Sequence, residues 1–246
     1  MPVFFISSSQ VRDNTVAITD PLLKHLRGSL RVRIGERIWV GDEHRSRYLI
    51  EVDHVDRHLL QGRVLERCTG PLPSAPCIWL AQALLKGDRM EWVIQKATEL
   101  GAAGIVPLVT AHTIVRLLPE QAASRRERWQ RIAREAAQQS ERWDIPTVAL
   151  PLCASQFFAD AKLATQKFIL QERGAATSLR AVALPSSPLE TIALAVGPEG
   201  GWRDEELAQA RAGGFLPVTL GDRILRAETA TIAALAVIQS RLGALG

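Results

Sequence analysis

The stretch AVGPEGGWRDEEL, residues 195–207, joins a short apolar run to a glycine-rich turn and then to a segment with helical character. That order, strand then turn then helix, is the repeating unit of a parallel sheet covered by helices. In an open sheet of this kind ligands bind beyond the carboxyl ends of the strands, and TIALAVG delivers Gly197 to that edge. Gly197, Gly200 and Gly201 carry no Cβ, so backbone can approach a ligand closely, and Pro198 stiffens the turn. Glycine loops usually cradle phosphates, but a phosphate needs converging N–H donors with no anion nearby. Glu199 places a carboxylate inside this loop, no Walker-type lysine and serine follow, and there is no GxGxxG. The loop therefore suits a neutral or cationic ligand better than a nucleotide phosphate. A tight turn with a solvated glutamate is the plainer alternative.

Working outward, apolar runs alternate with helix-length segments from residue 77 onward. The pattern predicts strands at 77–84, 104–109, 147–150, 167–171, 191–196 and 216–220. It predicts helices at 88–100, 119–142, 155–162, 204–212 and 227–242. The first seventy residues read as β, in pieces such as RIWVGD and YLIEVDHV, with one short helix in DPLLKHLRGSLR. TGPLPSAP, residues 69–76, has three prolines in eight positions and forms neither a helix nor a central strand. The expected organisation is a β domain over 1–70, a linker at 71–76 and an α/β domain over 77–246.

The chain has 246 residues and a formal net charge of +4, and arginine far outnumbers lysine. Guanidinium groups suit phosphate recognition because they donate in a planar fork. A solvated basic surface with no nucleic acid bound explains the same excess. No run approaches the length of a membrane span. The start, MPVFFISSSQVRDN, lacks a basic n-region and a long apolar core. Cys68, Cys77 and Cys153 lack metal-ligand spacing, and the histidines are scattered. These features predict no membrane association, no metal site and a reducing, cytoplasmic setting. In helix 119–142, Trp129, Ile132, Ala133, Ala136 and Ala137 form an apolar stripe. Arg125, Arg128, Arg131 and Arg134 lie largely off it, on a face that is either solvated or turned to RNA phosphates.

A second segment, VTLGDRILRAETATIAAL at 218–235, narrows the choice. A strand ends at Leu220, Gly221 turns, and an alanine-rich helix begins near Ala227. Ile224 and Leu225 lie in the intervening loop, where apolar side chains are expected to line a slot. Arg226, Glu228 and Thr229 cluster at the helix start, and Glu228 there also complements the helix dipole.

GPEGG (197–201) and LGDRILRAETA (220–230) together resemble the SPOUT class of S-adenosylmethionine-dependent RNA methyltransferases. The resemblance is closest to the RsmE family, which methylates N3 of a uridine in 16S ribosomal RNA. Supporting matches are LLKGDRMEWVIQKATELGAAGIVPL (84–108), RWQRIAREAAQQSERWDIP (128–146) and, more weakly, HLRGSLRVRIGERIWV (25–40). The resemblance implies an N-terminal PUA-like β-barrel domain that helps hold RNA, and a C-terminal parallel-sheet domain with a trefoil knot. It further implies a homodimer, S-adenosylmethionine as cofactor and 16S rRNA, within the small ribosomal subunit, as partner. The cofactor residues it implies are Leu170 and Gln171, Gly197, Pro198, Glu199, Gly200 and Gly201, and Leu220, Gly221, Ile224, Leu225, Arg226, Thr229 and Ala230. A sulfonium cation without phosphate is compatible with close backbone and one carboxylate, whether Glu199 touches the cofactor or only orients the loop.

The sequence departs from the family pattern at two places. Arg203 stands where the family usually has a serine N-cap, so Asp204 is the expected cap, one residue later. His112 stands where relatives often carry arginine, and a packing or hydrogen-bonding role is expected of it.

Methyl transfer is an in-line displacement in which the sulfonium is the leaving group. A neutral uracil carries a proton on N3, so the site needs a proton acceptor or groups that stabilise charge on the flanking oxygens. Arg226 is the expected charge stabiliser, with Glu228 or Glu199 as proton acceptor. Arg27, Arg31, Lys86, Arg89 and Lys96 are the expected RNA contacts. Two other readings stay open from sequence: a non-catalytic ribosome-assembly protein with a relic cleft, and a SPOUT enzyme acting on another RNA.

Overall fold

The structure, a computed structural model, describes residues 3–115, 119–161, 164–172 and 176–245. It comprises two compact units: Met1–Leu72 together with Ala137–Ile145, and Pro73–Ala136 together with Pro146–Gly246.

In the first unit, strands β1 (Val3–Phe5), β2 (Val11–Arg12), β3 (Thr15–Ile18), β4 (Arg37–Gly41), β5 (Ser46–Val55) and β6 (Leu60–Thr69) form one sheet in the order β1-β4-β5-β6-β3-β2. Only β1 and β4 pair in parallel; the other neighbours are antiparallel. The expected short helix is α1 (Leu22–Gly28), which contributes Leu23 and Leu26 to the core. Alternate residues of β5, Tyr48, Ile50 and Val52, meet them there with Val16, Ile18 and Leu60, as the period of two requires. The turn from β5 to β6 is held by Asp56, whose Oδ1 accepts from the amides of His58 (2.7 Å) and Leu59 (2.9 Å). Residues 137–145 join this unit through Trp143. The Arg47 guanidinium lies 3.7 Å from the centre of its ring, and a Cβ on Gly70 would sit 2.7 Å from it. Arg47 also donates to the carbonyls of Glu141 and Arg142.

The second unit is an all-parallel sheet. Its strands are β7 (Cys77–Ala83), β8 (Gly104–Val109), β9 (Thr147–Val148), β10 (Leu152–Cys153), β11 (Gln166–Leu170), β12 (Thr177–Ser178), β13 (Thr191–Val196) and β14 (Leu216–Thr219). The order is β10-β8-β7-β13-β11-β14-β12, with β9 also on β8. β13 thus sits between β7 and β11, although both precede it in the chain.

Helices α2 (Arg89–Glu99), α3 (Pro119–Gln139) and α6 (Ala227–Arg241) supply Val93, Ile94, Trp129, Ala133, Leu235 and Ile238 to a core with Ile78, Leu80, Ile192 and Leu194. A second core holds the opposite side-chain set of the same strands, Ala81, Ala193 and Ala195. It receives Phe158 of α4 (Ala154–Asp160), Ala210 of α5 (Asp204–Ala212) and Phe215. The small alanines leave room for the edge-on Phe158–Phe215 pair, 5.1 Å between centroids. No helix of the described residues is long and apolar enough to cross a membrane.

The alternation of strands and helices expected from residue 77 onward is present, with three local differences. The helix predicted over 119–142 stops at Gln139, and Glu141 takes a left-handed φ of 54° that no α-helix continues through. The strand predicted at 147–150 is only Thr147–Val148, hemmed in by Pro146 and Pro151. β10 and β12, of two residues each, are too short to leave a periodic signal. Residue 162, the last of the predicted helix 155–162, lies outside the described residues.

Two expectations follow. A Cβ on Gly213 would run into the Phe158 carbonyl oxygen, backbone that cannot step aside. Gly213→Ala should therefore cost about 1–3 kcal/mol, read as a lower denaturant midpoint at unchanged slope. Hydrogen bonds from the His58 and Leu59 amides, with His54 beside them, bring the Asp56 carboxyl from 3.8 down to about 2. Its folded value is depressed, so its contribution to the turn is complete above the unfolded value and is lost as pH falls through about 2. Carboxyl-detected NMR titration should find Asp56 with this low midpoint, and a midpoint near 3.8 would remove the assignment.

Candidate functional site

Leu170, Val196 and Thr219 end β11, β13 and β14, which lie side by side. The chain leaving each of them walls a cleft of about 440 Å³ at the carboxyl edge of the sheet. Between them lies the glycine loop, clamped from two directions. The Trp202 indole donates from Nε1 to the Leu170 carbonyl at 3.0 Å. It lies so close over Gly197 that a Cβ there would be 3.0 Å from the same nitrogen. From the other direction His112 Nδ1 lies 3.1 Å from the Gly201 carbonyl, and a Cβ on Gly200 would meet His112 Cβ at 2.9 Å. Gly201 has φ +69°, and its amide closes the turn on Pro198. His112 therefore packs against the loop and is within hydrogen-bonding distance of its backbone.

Glu199 does not leave the loop with a bare negative charge. Arg89, at the start of α2 and 110 residues away in sequence, places Nη1 2.9 Å from Glu199 Oε1. The same guanidinium lies 3.8 Å from Glu228 Oε1 in the first turn of α6. One cation thus ties the glycine loop to two helices. Glu228 is largely buried, its side chain 15% exposed, and its Oε2 is fully buried with no hydrogen-bond partner among the described residues.

Of the residues expected at the cofactor, Leu170, Gln171, Gly197, Pro198, Glu199, Gly200, Gly201, Leu220, Gly221, Leu225 and Ala230 line the cleft. Arg226 and Thr229 line a second hollow of about 450 Å³, with Asp88, Arg89, Trp92 and Glu228. Ile224 lies in neither lining and is 59% exposed. The segment 225–230 is thus a partition. Leu225, Ala227 and Ala230 face the cleft, while Arg226, Glu228 and Thr229 face the hollow. Among the described residues the Arg226 guanidinium makes no hydrogen bond or ion pair, so it does not pin the loop to Glu228.

The residues expected to touch RNA differ in what surrounds them. Arg27, Arg31 and Lys86 are exposed, and Arg31 has a left-handed φ of 54°. Arg89 is held by its two carboxylates, and Lys96 lies 2.8 Å from Glu99. On α3, Arg128 forms a two-point bond with Glu91.

Sequence reasoning missed Glu172, Val196, Trp202, Asp204, Leu207, Thr219, Arg223 and Ala227, all in the cleft lining. An aromatic directly after the glycine pair in GGWRD was the one visible signal, for Trp202. Asp204 is not the cap of α5, contrary to expectation: the helix begins at Asp204, with Arg203 in the N-cap position. The free Arg203 amide is satisfied by Glu206 Oε2 at 3.0 Å, while Glu206 Oε1 accepts from Ala111 at 2.9 Å. Glu206, at the third helical position, thus supplies the acidic half of a capping box by binding the amide of the N-cap residue.

A cleft with close backbone, apolar walls and a neutralised carboxylate can hold an uncharged or cationic organic molecule. The adjoining hollow offers an indole and the Arg226 guanidinium, unpartnered among the described residues, with the Glu228 carboxylate in its wall. A family model for an RNA methyltransferase domain matches residues 73–239. The chain is 40% identical to ribosomal RNA small subunit methyltransferase E of Synechocystis sp., over 96% of this chain and 77% of that protein. It is 31% identical to the Bacillus subtilis protein of that name, over 91% and 89%. The crystal structure of the Neisseria gonorrhoeae protein of that name, bound to S-adenosyl methionine, superposes with a TM-score of 0.86 at 34% identity over 98% of both chains. A methyltransferase from Legionella pneumophila in complex with the same molecule superposes at 0.88, with 32% identity over 97% of both. With its glycine loop, its cleft at the carboxyl edge and its sequence thus matched nearly end to end, the chain belongs to the ribosomal RNA small subunit methyltransferase E family.

Proposed function

We propose that this protein transfers a methyl group from S-adenosylmethionine to N3 of a uridine in 16S rRNA of the small ribosomal subunit. The observation that carries the reading is the partition at 225–230, which sets a cofactor-sized cleft directly against a hollow holding Arg226 and Glu228. The cleft suits the cofactor: Trp202 and His112, packed tightly on Gly197 and Gly200, hold the backbone of the loop at its wall, and Arg89 balances Glu199. Leu170, Val196, Leu220 and Leu225 would flank its apolar parts, with the glycine loop and Gly221 presenting backbone. Bound there, S-adenosylmethionine supplies an electrophilic methyl whose bonding pair stays with sulfur as the N–C bond forms.

The remaining chemistry belongs to the protein. The Glu228 carboxylate, in the wall of the hollow, accepts the proton of uracil N3, and the freed lone pair makes the new bond. Arg226 has a guanidinium without partners among the described residues. It donates to a uracil carbonyl oxygen as negative charge grows there, stabilisation that costs no reorganisation at the moment of reaction. Glu199 is held by Arg89 and orients the loop. Exposed Arg27, Arg31 and Lys86 are the RNA backbone contacts this reading retains. The family resemblance further supports a homodimer acting in the cytoplasm. It supports a trefoil knot as well, to which the insertion of β13 between two earlier strands lends weight.

Gly200→Val should drive side-chain carbons into His112 and lower S-adenosylmethionine affinity at least tenfold by calorimetry; undiminished binding would remove the glycine loop from the cofactor site. Arg226→Ala should leave the melting point and cofactor affinity intact. It should slow single-turnover methylation about a hundredfold, the worth of one preorganised donor at roughly 3 kcal/mol. Arg226→Lys should recover only part of the rate, lacking the planar fork. Unchanged turnover at saturating RNA would rule the role out.

A further inference from the structure

Trp92 is a large indole that the core does not use. It stands on the first turn of α2, 42% exposed, and lines the hollow that also contains Arg89, Arg226 and Glu228. Met90, Val93 and Ile94 are buried on the inner face of the helix, while Trp92 shares the outer face with exposed Arg89 and Gln95. An exposed aromatic face beside a free guanidinium and a carboxylate oxygen is the equipment for holding a planar base.

We infer that Trp92 is the stacking platform for the target base and that the Arg89–Glu228–Arg226 array reads the base's edge, selecting uracil over cytosine. The inference rests on the uridine-N3 reading above and deepens it. The imide edge of uracil presents acceptor, donor, acceptor: one carbonyl oxygen, the N3–H, the other carbonyl oxygen. The hollow offers the complement, with the Glu228 carboxylate in its wall, which only accepts, and the N–H donors of two guanidiniums. Cytosine turns a lone pair at N3 toward the same carboxylate and an amino group toward a guanidinium, so acceptor meets acceptor and donor meets donor. A site whose polar groups are left unpaired by the wrong ligand discriminates far more strongly than one relying on shape. The indole contributes affinity without sequence information, since every base has a π face.

The test uses the full chain and 16S rRNA in small subunits lacking the modification. Nucleoside digestion and mass spectrometry first identify the product of the unaltered protein. A product other than 3-methyluridine would sink the uridine-N3 reading itself, and this inference with it. With 3-methyluridine confirmed and its position mapped, Trp92→Ala should raise KM for RNA roughly tenfold to a hundredfold, with S-adenosylmethionine affinity and melting point unchanged. Trp92→Phe should restore most of the loss. An unchanged KM in Trp92→Ala would overturn the stacking role and leave the reaction assignment standing. So would an altered oligomeric state by sedimentation without a KM effect, which would make Trp92 a subunit contact.

RNA carrying cytidine at the mapped position should bind the unaltered protein at least tenfold more weakly. Glu228→Gln, whose amide can donate as well as accept, should bring that ratio close to one while cofactor affinity holds. A preference that survives in Glu228→Gln would show that the edge is read elsewhere.

Discussion

The second unit is organised by one topological constraint: β13 must enter between β7 and β11, both already laid down earlier in the chain. It exchanges backbone hydrogen bonds with a neighbour on each side along its length, from Thr191 against Cys77 to Val196 against Gln82, and from Ile192 against Gln166 to Ala195 against Ile169. A strand buried in this way is apolar on both faces, which is why TIALAV has no polar position after its first residue. The insertion brings Leu170 and Val196 to one edge, and β14, pairing outside β11, adds Thr219. Three loops then start on three adjacent strands, and the cleft lies between them. Moving β13 to an edge of the sheet would leave the same loop sequences with nothing to converge on.

Electrostatics finish what topology begins. The glycine loop carries Glu199, and α6 starts with Glu228; without a cation between them the two carboxylates would weaken the edge they share. Arg89 meets both, and because it opens α2 it fixes that helix to the loop and to α6 at once. Behind the pair, Thr231 of α6 donates to the Gln82 side chain, and both residues are fully buried. A hydrogen bond in such surroundings is costly to leave unmade, so α6 has little freedom to slide along the sheet. Leu225, Ala227 and Ala230 consequently stay on one side of the partition, with Arg226, Glu228 and Thr229 on the other.

How much of this could be seen in the sequence depends on the range of the interaction. Short apolar runs gave away β7, β8 and β13, and the helix-length segments between such runs gave away α2, because both are properties of neighbouring residues. The glycine loop was legible because its lack of Cβ is written in the residue type, and Glu199 set phosphate aside. Strand order was not legible: nothing in TIALAV distinguishes a central strand inserted late from one laid down in turn. Nor was the partner of Glu199, since Arg89 lies 110 residues away and first suggested an RNA contact. Glu206 reads as one acid among three in a helix start, and only the fold shows it binding the amides of both Arg203 and Ala111. The hollow beside the cleft was equally hidden, because Trp92 at helical spacing looks like another core residue.

The clasp around Trp143 bears on how the chain could have been assembled. Its ring is held between Gly70 and Arg47, yet it is encoded far beyond Leu72, the end of the β unit's main segment. The unit is therefore discontinuous, and the covalent chain passes between the two units at Leu72, Ala136 and Ile145. A single cut cannot release the β unit whole: a fragment ending near residue 72 would leave the Gly70 surface bare and Arg47 without the ring and carbonyls it binds. A β module of this form is not exchangeable as a cassette by recombination at its linker. Any graft onto another catalytic domain would have to bring a second, internal insertion with it, which ties the inheritance of the two units together.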